Sequence, residues 1–271
     1  MNKIFKLFKA ISLIIKQPSL LNKVLDDKDV NKTEVVRSYH LPEGLKTIDL
    51  LDLFPDFEET VQPFCSLDGG STPLDLALLK AIAKNKPECD YFEIGTWRGE
   101  SVANVASVAK HCTTLNLPDK DMLEMGLDKG YVDLHRFFSK ERKNVTHLQA
   151  NSQTFDFSPH FNKYDLVFID GDHHYESVKM DTQNAFRVLK DESSIIVWHD
   201  YGNTPNDIRW DVFKGILDGT PKGKINNLYR VSNTLCAIYF SNPMHSEIQK
   251  PYTSPNKTFL ISLKAEMISR K

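Results

Sequence analysis

The stretch “FIDGDHHYE”, residues 168–176, holds two aspartates, two histidines and a glutamate at the end of the apolar run “YDLVF”. Asp and Gly are the usual residues of turns, so a polar turn after a strand is the simplest interpretation. A second polar pair, His199 and Asp200, ends the apolar run “IIVW”. Carboxylates that converge in one cleft repel each other unless a cation or a proton lies between them. If the two strand ends lie side by side, the pattern predicts either a hard-cation site or titratable groups with shifted pKa values.

The periodicity around these stretches indicates the elements that position them. After a helix in “STPLDLALLKAIAKN”, strands and helices alternate as far as the hairpin “LYRVSNTLCAIYF”. Strands that alternate with helices of this length form a doubly wound, mostly parallel α/β sheet of the Rossmann-like type. We expect seven strands, with the hairpin as an antiparallel C-terminal addition. In such a sheet, ligands bind at the carboxyl ends of the strands.

The composition is that of an ordinary globular protein, with 271 residues of which 41% are hydrophobic and 26% charged. A net charge of -2 argues against a dedicated nucleic-acid binder. Four scattered cysteines, no signal peptide and no run long enough to span a membrane favour a cytoplasmic protein with reduced thiols. We predict a helical extension and covering segment over residues 1–64 and one catalytic domain over residues 65–271.

The first sixteen residues, “MNKIFKLFKAISLIIK”, predict a basic amphipathic helix. Ile4, Phe8, Ile11 and Ile15 follow helical spacing, and the lysines fall elsewhere on the helical wheel. Two interpretations stay open: a helix docked on its own domain or on a second subunit, as in a homo-oligomer, and peripheral membrane contact. A second short helix is expected in “PSLLNKVLDD”.

A glycine-containing loop, “FEIGTWRGES”, follows the first strand of the domain. Gly95 and Gly99 bracket a sharp turn, and the next helix begins near Ser101. Gly95 would let the backbone approach a ligand, and Gly99 would relieve crowding where strand meets helix. The spacing differs from the Gly-x-Gly-x-x-Gly pattern of dinucleotide binding, which disfavours a nicotinamide cofactor.

Five stretches, in this order along the chain, resemble the successive motifs of class I S-adenosylmethionine-dependent methyltransferases. They are “FEIGTWRGES”, “TLNLPD”, “ANSQTFDFS”, “FIDGDHHYESV” and “IIVWHDYGN”. The chain is similar to the bacterial small-molecule and sugar O-methyltransferases of this family, over roughly residues 65 to 240. The resemblance implies S-adenosylmethionine as the cofactor and methyl transfer to an oxygen of a small-molecule acceptor such as a sugar.

The resemblance also implies a cofactor pocket along the strand ends. Its implied residues are Glu93, Gly95, Thr96, Gly99 and Ser101 at the amino-acid end, Asn116 at the ribose, Asn151 and Ser152 at the adenine edge, and Asp170 near the methyl group. Related sequences carry an acidic residue at the position of Asn116. An amide both donates and accepts but is a weaker acceptor than a carboxylate, so we expect reduced cofactor affinity.

In the metal-using members of this group, an Asp after the fourth strand and an acidic pair after the fifth strand bind magnesium. The matching residues here are Asp170, His199 and Asp200. Imidazole is a poor ligand for Mg²⁺, so a magnesium requirement is left open. The acceptor hydroxyl must lose a proton during transfer, and His173 is the first candidate for this base because imidazole titrates near neutral pH. Asp172 is the second candidate.

Other side chains of these stretches have expected structural roles. We expect His174 to cap or pack against the following helix, Glu176 to lie in its first turn, and Trp198 to belong to the core. Two alternatives to a methyltransferase also remain. One is a catalytically silent domain that binds S-adenosylmethionine, and the other is a metal-dependent hydrolase or hydroxylase that uses the Asp and His residues.

Overall fold

Short buried strands that end in polar residues build the central sheet of this protein. The computed structural model describes residues 3–16 and 28–268. In chain order its elements are α1 (Lys3–Lys16), α2 (Lys28–Tyr39), β1 (Thr47–Ile48), α3 (Leu50–Leu53), α4 (Pro73–Lys84), β2 (Asp90–Ile94), α5 (Glu100–Val105), β3 (His111–Asn116), α6 (Asp119–Glu124), α7 (Lys129–Asp133), β4 (Val145–Gln149), β5 (Leu166–Ile169), α8 (Tyr175–Val188), β6 (Ile195–Trp198), α9 (Trp210–Gly219), β7 (Leu228–Val231) and β8 (Ala237–Tyr239). The short helix predicted in “PSLLNKVLDD” lies outside the described residues.

The strands form one sheet in the order β1-β7-β8-β6-β5-β2-β3-β4. Strand β8 is antiparallel to both of its neighbours, β6 and β7, and the other pairs are parallel. The prediction of a doubly wound, mostly parallel sheet with an antiparallel hairpin is confirmed. The predicted count of seven strands was one too few, because β1 comes from the covering segment and has only two residues, too few to show a periodicity.

The order of the strands brings three strand ends together. The chain runs outward from β2 to β3 and β4, then crosses back to β5 on the other side of β2. Strand β5 therefore lies between β2 and β6. Ligands of such sheets bind where the strand order reverses, which is here the edge formed by the ends of β2 and β5.

Two apolar cores cover the two faces of the sheet. Alternate residues of β5 point to opposite faces, so Leu166 and Phe168 join one core while Val167 and Ile169 join the other. Trp198 is fully buried, which confirms its predicted place in the core. Among residues 3–16 and 28–268, no helix is both long and apolar enough to cross a membrane.

Helix α2 was not predicted, because it is mostly polar and shows no apolar stripe. It packs on the domain through the fully buried Val35 and through polar contacts. Tyr39 donates a hydrogen bond to Asp218, and Lys214 lies 3.2 Å from Glu34. The division at residues 64 and 65 stays a prediction, and β1 shows that part of the predicted extension pairs with the sheet.

Candidate active site

The glycine loop joins β2 to α5 at the carboxyl edge of the sheet. Gly95 has a φ of 95° and Gly99 a φ of 78°, in the left-handed region that favours glycine. A side-chain carbon at Gly95 would overlap the carbonyl group of Asp170, and one at Gly99 would overlap the side chain of Ser139. Gly95 is therefore needed for contact between the ends of β2 and β5, which is a reason besides the ligand approach that the sequence suggested.

Glu93, one of the predicted cofactor residues, is enclosed in the sheet with no exposed surface. The hydroxyl of Tyr91 donates to its Oε2 at 2.6 Å, and the hydroxyl of Thr114 donates to its Oε1 at 3.1 Å. Burial raises the pKa of Glu93 to about 8, although hydrogen bonds from Tyr91 and Ser101 oppose this shift. Glu93 thus links β2 to β3 and to Ser101 at the start of α5.

Thr96 and Asn116 join the ends of β2 and β3. The backbone N–H of Thr96 donates to Oδ1 of Asn116 at 3.3 Å. The Thr96 hydroxyl is buried and lies 2.5 Å from the hydroxyl of Thr114. Thr96 was predicted as a hydrogen-bond donor to the cofactor, and in this structure its hydroxyl and N–H both have partners within the domain.

Asn151 and Ser152 follow β4 and form a turn. Oδ1 of Asn151 accepts from the backbone N–H of Gln153 at 3.0 Å, a common turn interaction of Asn. Ser152 hydrogen-bonds to Asp181 of α8, which is 1% exposed. Burial raises the pKa of Asp181 to about 7. This pair ties the loop predicted to hold the adenine to helix α8.

Arg98 holds residues 65–70 over the glycine loop. Its guanidinium donates to the carbonyl of Asp68 at 2.7 Å and to the carbonyl of Leu67 at 3.2 Å. Arg98 also forms a 3.1 Å ion pair with Glu100, and both side chains are buried. Residues 65–70, at the start of the predicted domain, are therefore held directly on the loop that follows β2.

His199, at the end of β6, lies between two carboxyl groups. Its Nε2 is 3.1 Å from Oδ2 of Asp75, in the first turn of α4, and its Nδ1 is 3.1 Å from Oδ1 of Asp170. Burial lowers the pKa of His199, but Asp170 and Asp75 outweigh it and raise the pKa well above its usual range. We call Asp75, His199 and Asp170 the inner cluster, because His199 and Asp75 are buried.

His173 lies on the more exposed side of Asp170 and also contacts Asp200. Its Nε2 is 2.8 Å from Oδ2 of Asp200 and 3.8 Å from Oδ1 of Asp170, an ion pair without a well-aligned hydrogen bond. Arg209 also contacts Oδ2 of Asp200, at 2.6 Å. Interactions with Asp170 and Asp200 raise the pKa of His173 to about 9. This pKa makes His173 a positively charged imidazolium at neutral pH. We call His173, Asp200 and Arg209 the outer cluster.

Asp172, the second candidate base, is engaged with the start of α8. Its Oδ1 lies 2.5 Å from Nδ1 of His174, and the hydroxyl of Ser177 donates to its Oδ2 at 2.8 Å. These contacts lower the pKa of Asp172 although burial opposes them. Glu176 lies in the first turn of α8, as predicted. His174 occupies the N-cap position, but its side chain makes no capping hydrogen bond and is 89% exposed, so the predicted capping or packing role is not found.

Residues 92–201, from the middle of β2 to the residue after Asp200, match a family of known proteins. The family is described as “Methyltransferase domain”. Residues 92–201 are therefore similar to methyltransferase domains. The resemblance carried by the five motifs is confirmed over this stretch, and the family implies S-adenosylmethionine as the cofactor.

Solved structures show partial similarity to the chain. The YcgJ protein from Bacillus subtilis is 17% identical, with 47% of this chain and 50% of that chain covered and a TM-score of 0.36. CalS11, a TDP-rhamnose 3'-O-methyltransferase of calicheamicin biosynthesis, is 14% identical, with 62% of this chain and 77% of that chain covered and a TM-score of 0.41. The match thus spans half the length of the first structure, and TM-scores this low assign no function. A comparison with curated proteins finds no match.

The loops that follow β2, β3 and β4 form a row along the carboxyl edge of the sheet. The ends of β2, β3 and β4 lie side by side, since Ile94 pairs with Leu115 and Asn116 pairs with Gln149. Neighbouring strands are about 4.8 Å apart, so the three loops extend over about 10 Å of the edge. Asn116 and Asn151 supply amide groups along this row, which can both donate and accept hydrogen bonds. Polar groups of this kind can hydrogen-bond to a ligand that extends along the edge.

Magnesium fits the acidic residues of the domain poorly. Ligand atoms of Asp170, His173 and Asp200 lie within 4.8 Å of one another, which is close enough to hold an ion. The predicted set had His199 in place of His173. Mg²⁺ prefers oxygen ligands, and both imidazoles have raised pKa values, which favours the protonated form that cannot bind a metal. We therefore derive no catalytic step through a metal ion.

Two residues of these clusters were not predicted from the sequence. Asp75 contacts His199 across 124 positions of the chain and also accepts from the backbone N–H of Leu235 at 2.9 Å. Its only sequence signal is its spacing from Thr72, which predicts the capping box that the structure contains but no distant partner. Arg209 immediately precedes α9, and no pattern distinguishes it from any other basic residue.

Proposed function

We propose that this protein is an S-adenosylmethionine-dependent methyltransferase that methylates an oxygen of a small polar acceptor such as a sugar. The observation that carries the proposal is the contact between the glycine loop and the acidic residues. Gly95 packs on the backbone of Asp170, and Asp170 lies beside the imidazoles of His199 and His173. The loop that the family implies for the cofactor thus adjoins groups that can accept a proton.

When bound, S-adenosylmethionine supplies a methyl carbon attached to a positively charged sulfur. The acceptor oxygen forms a bond to this carbon while the carbon–sulfur bond breaks, its electron pair stays on sulfur, and the hydroxyl proton passes to a base. Alignment of the three reacting atoms can supply much of the rate enhancement. The residues proposed to bind the cofactor are Gly95, Gly99, Ser101, Asn116, Asn151, Ser152 and Asp170. Glu93 and Thr96, which were also predicted to bind it, have internal partners and are proposed to hold the glycine loop in place.

We assign the base to His173, with a condition on pH. Because its pKa is about 9, only about one molecule in a hundred has a neutral His173 at pH 7. A neutral imidazole at this position can accept the acceptor proton, and the resulting imidazolium would again pair with Asp200. Asp172 is the weaker candidate, since its two oxygen atoms contact His174 and Ser177.

The first test is calorimetric binding of S-adenosylmethionine and of its demethylated product to the purified protein. Gly95→Ala should abolish binding, because the added carbon would displace Asp170 from the end of β2. Gly223→Ala is the matched control, since nothing lies within 4 Å of the carbon that this change adds. A folded wild-type protein that binds neither compound at millimolar concentration would rule out the proposal.

The second test is methyl transfer itself. Labelled S-adenosylmethionine is incubated with the protein and a set of sugars and phenols, and mass spectrometry identifies the methylated product. Stoichiometric cofactor binding without any product would favour the catalytically silent domain, which the protonated His173 also supports. The hydrolase or hydroxylase alternative has in its favour only the three potential ligand atoms of Asp170, His173 and Asp200.

A further inference from the structure

Helix α1 presents an apolar face that the described part of the chain does not cover. None of its 14 residues is buried. Phe8, Ile11 and Ile15 are 66, 44 and 74% exposed. With about 100° of rotation per residue, these three side chains and Leu7 lie on one face of the helix. The apolar face is therefore continuous along the helix and available to a partner.

A helix of this length needs such a partner. Isolated helices of fewer than about 12 to 15 residues are marginal in water, and most of their stability in proteins comes from burial of an apolar face. Phe8 and Ile15 instead face solvent, together with Phe5, which is 60% exposed. An environment that removes these side chains from water would stabilise the helix.

The charges of α1 indicate what that environment is. Residues 1–16 contain Lys3, Lys6, Lys9 and Lys16 and no Asp or Glu. The rest of the chain holds the remaining 30 of 34 basic residues and all 36 acidic residues, so its formal charge is -6 while that of this stretch is +4. The four lysines all lie outside the face formed by Leu7, Phe8, Ile11 and Ile15.

We propose that α1 binds in the plane of an anionic lipid surface, with its apolar face in the acyl boundary and its lysines at the headgroup phosphates. An anionic bilayer is the environment that satisfies both faces at once. The acidic remainder of the chain could pair with the lysines but would leave the apolar face in water. Two copies of α1 packed through that face would bring eight lysines together without an acidic partner.

The length of α1 agrees with a position along the surface. Fourteen residues of helix extend about 21 Å, which is shorter than the roughly 30 Å hydrocarbon core of a bilayer. Lysine stems are long enough to extend from the helix sides toward the headgroups. The domain would then be held beside the membrane through this helix.

The test uses the full-length chain and sedimentation with lipid vesicles. Binding is expected to vesicles in which about one lipid in three is phosphatidylserine, to be weaker at high salt, and to be absent with phosphatidylcholine alone. The double change Phe8→Asp with Ile11→Asp should abolish binding. Lys6→Gln with Lys9→Gln should weaken it roughly thirtyfold, from about 1 kcal/mol per lysine.

Matched controls lie outside the helix. Leu263→Asp changes a side chain that is 86% exposed, and Lys140→Gln with Lys143→Gln removes two exposed lysines of the domain. All three changes should leave vesicle binding as it is. Undiminished binding by the Phe8→Asp, Ile11→Asp protein would overturn the proposal. A second result would also overturn it: the wild-type protein does not bind vesicles, and analytical ultracentrifugation finds an oligomer that the same double change dissociates. Helix α1 would then be a self-association helix.

Discussion

The inner and outer clusters each place a histidine against carboxyl groups, but in different surroundings. In the inner cluster both ring nitrogens of His199 face carboxyl groups, and the side chain is 6% exposed. In the outer cluster one ring nitrogen of His173 faces carboxyl groups, and the side chain is 37% exposed. A buried ion pair cannot exchange its proton with a ligand without local opening, whereas an exposed one can. Burial, more than residue type, thus separates a structural histidine from a candidate base.

The largest expected effect concerns the stability supplied by the inner cluster. Asp75→Asn should lower the free energy of unfolding by about 3–5 kcal/mol, because it removes the carboxylate partner of a buried imidazolium. Urea denaturation followed by circular dichroism measures the change. Asp191→Asn, at an exposed aspartate, is the matched control and should cost less than about 1 kcal/mol. Equal losses in the two variants would mean that the inner cluster has no special structural role.

The next effect concerns catalysis by the outer cluster. His173→Gln should lower kcat/KM roughly a hundredfold, the usual contribution of a general base, with little change in cofactor affinity. Initial rates with the acceptor identified by product analysis measure this effect. His174→Gln is the matched control, because its ring is 89% exposed and contacts Asp172. If both variants kept full activity, the base would have to be Asp172.

A third effect is that fold stability and kcat/KM should change in opposite directions as His173 loses its proton with rising pH. The pKa of His173 is raised from 6.5 to about 9, so the ion pair stabilises the fold below pH 6.5 and this stabilisation is lost as pH rises through about 9. The free base forms over the same range, so kcat/KM should rise about tenfold per unit between pH 7 and 9. Parallel denaturation and rate profiles test this, and His173→Gln should flatten both. A flat rate profile in the wild type would contradict the assignment of the base.

The smallest effect concerns Arg209, at the edge of the outer cluster, and tests whether its charge influences His173. Its positive charge lowers the pKa of His173, so Arg209→Gln should raise that pKa and move the rate profile to higher pH. The Arg209 side chain is 45% exposed, so the lost ion pair with Asp200 should cost no more than about 1 kcal/mol of stability. A shift of the profile to lower pH would show that Arg209 acts on another group.

The sequence was sufficient to predict the main strands of the sheet. Apolar runs with polar ends, such as “YDLVFID” and “SSIIVWHD”, predicted the parallel strands. The resemblance to the methyltransferases implied that Asp170 and Asp200 meet at one edge of the sheet. The sequence did not predict β1 or α2, because two residues show no period and a polar helix shows no stripe. Their positions depend on distant contacts, such as Tyr39 with Asp218.

The candidate site could be predicted only in part, because local patterns do not show which distant residues meet. Residues at strand ends, including Gly95 and His173, follow from the motif order. The contact of Asp75 with His199 does not, since it joins residues 124 positions apart. The raised pKa of His173 also depends on the convergence of two strands, which no local pattern encodes. Pairwise geometry across the sheet is therefore what the sequence left undetermined.

Strand β1 has a consequence for how copies of this protein behave in a crowded solution. It hydrogen-bonds to β7 on one side, where the N–H of Arg230 donates to Lys46 and that of Ser232 donates to Ile48. On its other side, Thr47 and Glu247 exchange two backbone hydrogen bonds. An open strand edge is a template for pairing with another chain, and very short or covered edges prevent this. Two residues of β1 thus protect the β7 side of the sheet against edge-to-edge aggregation.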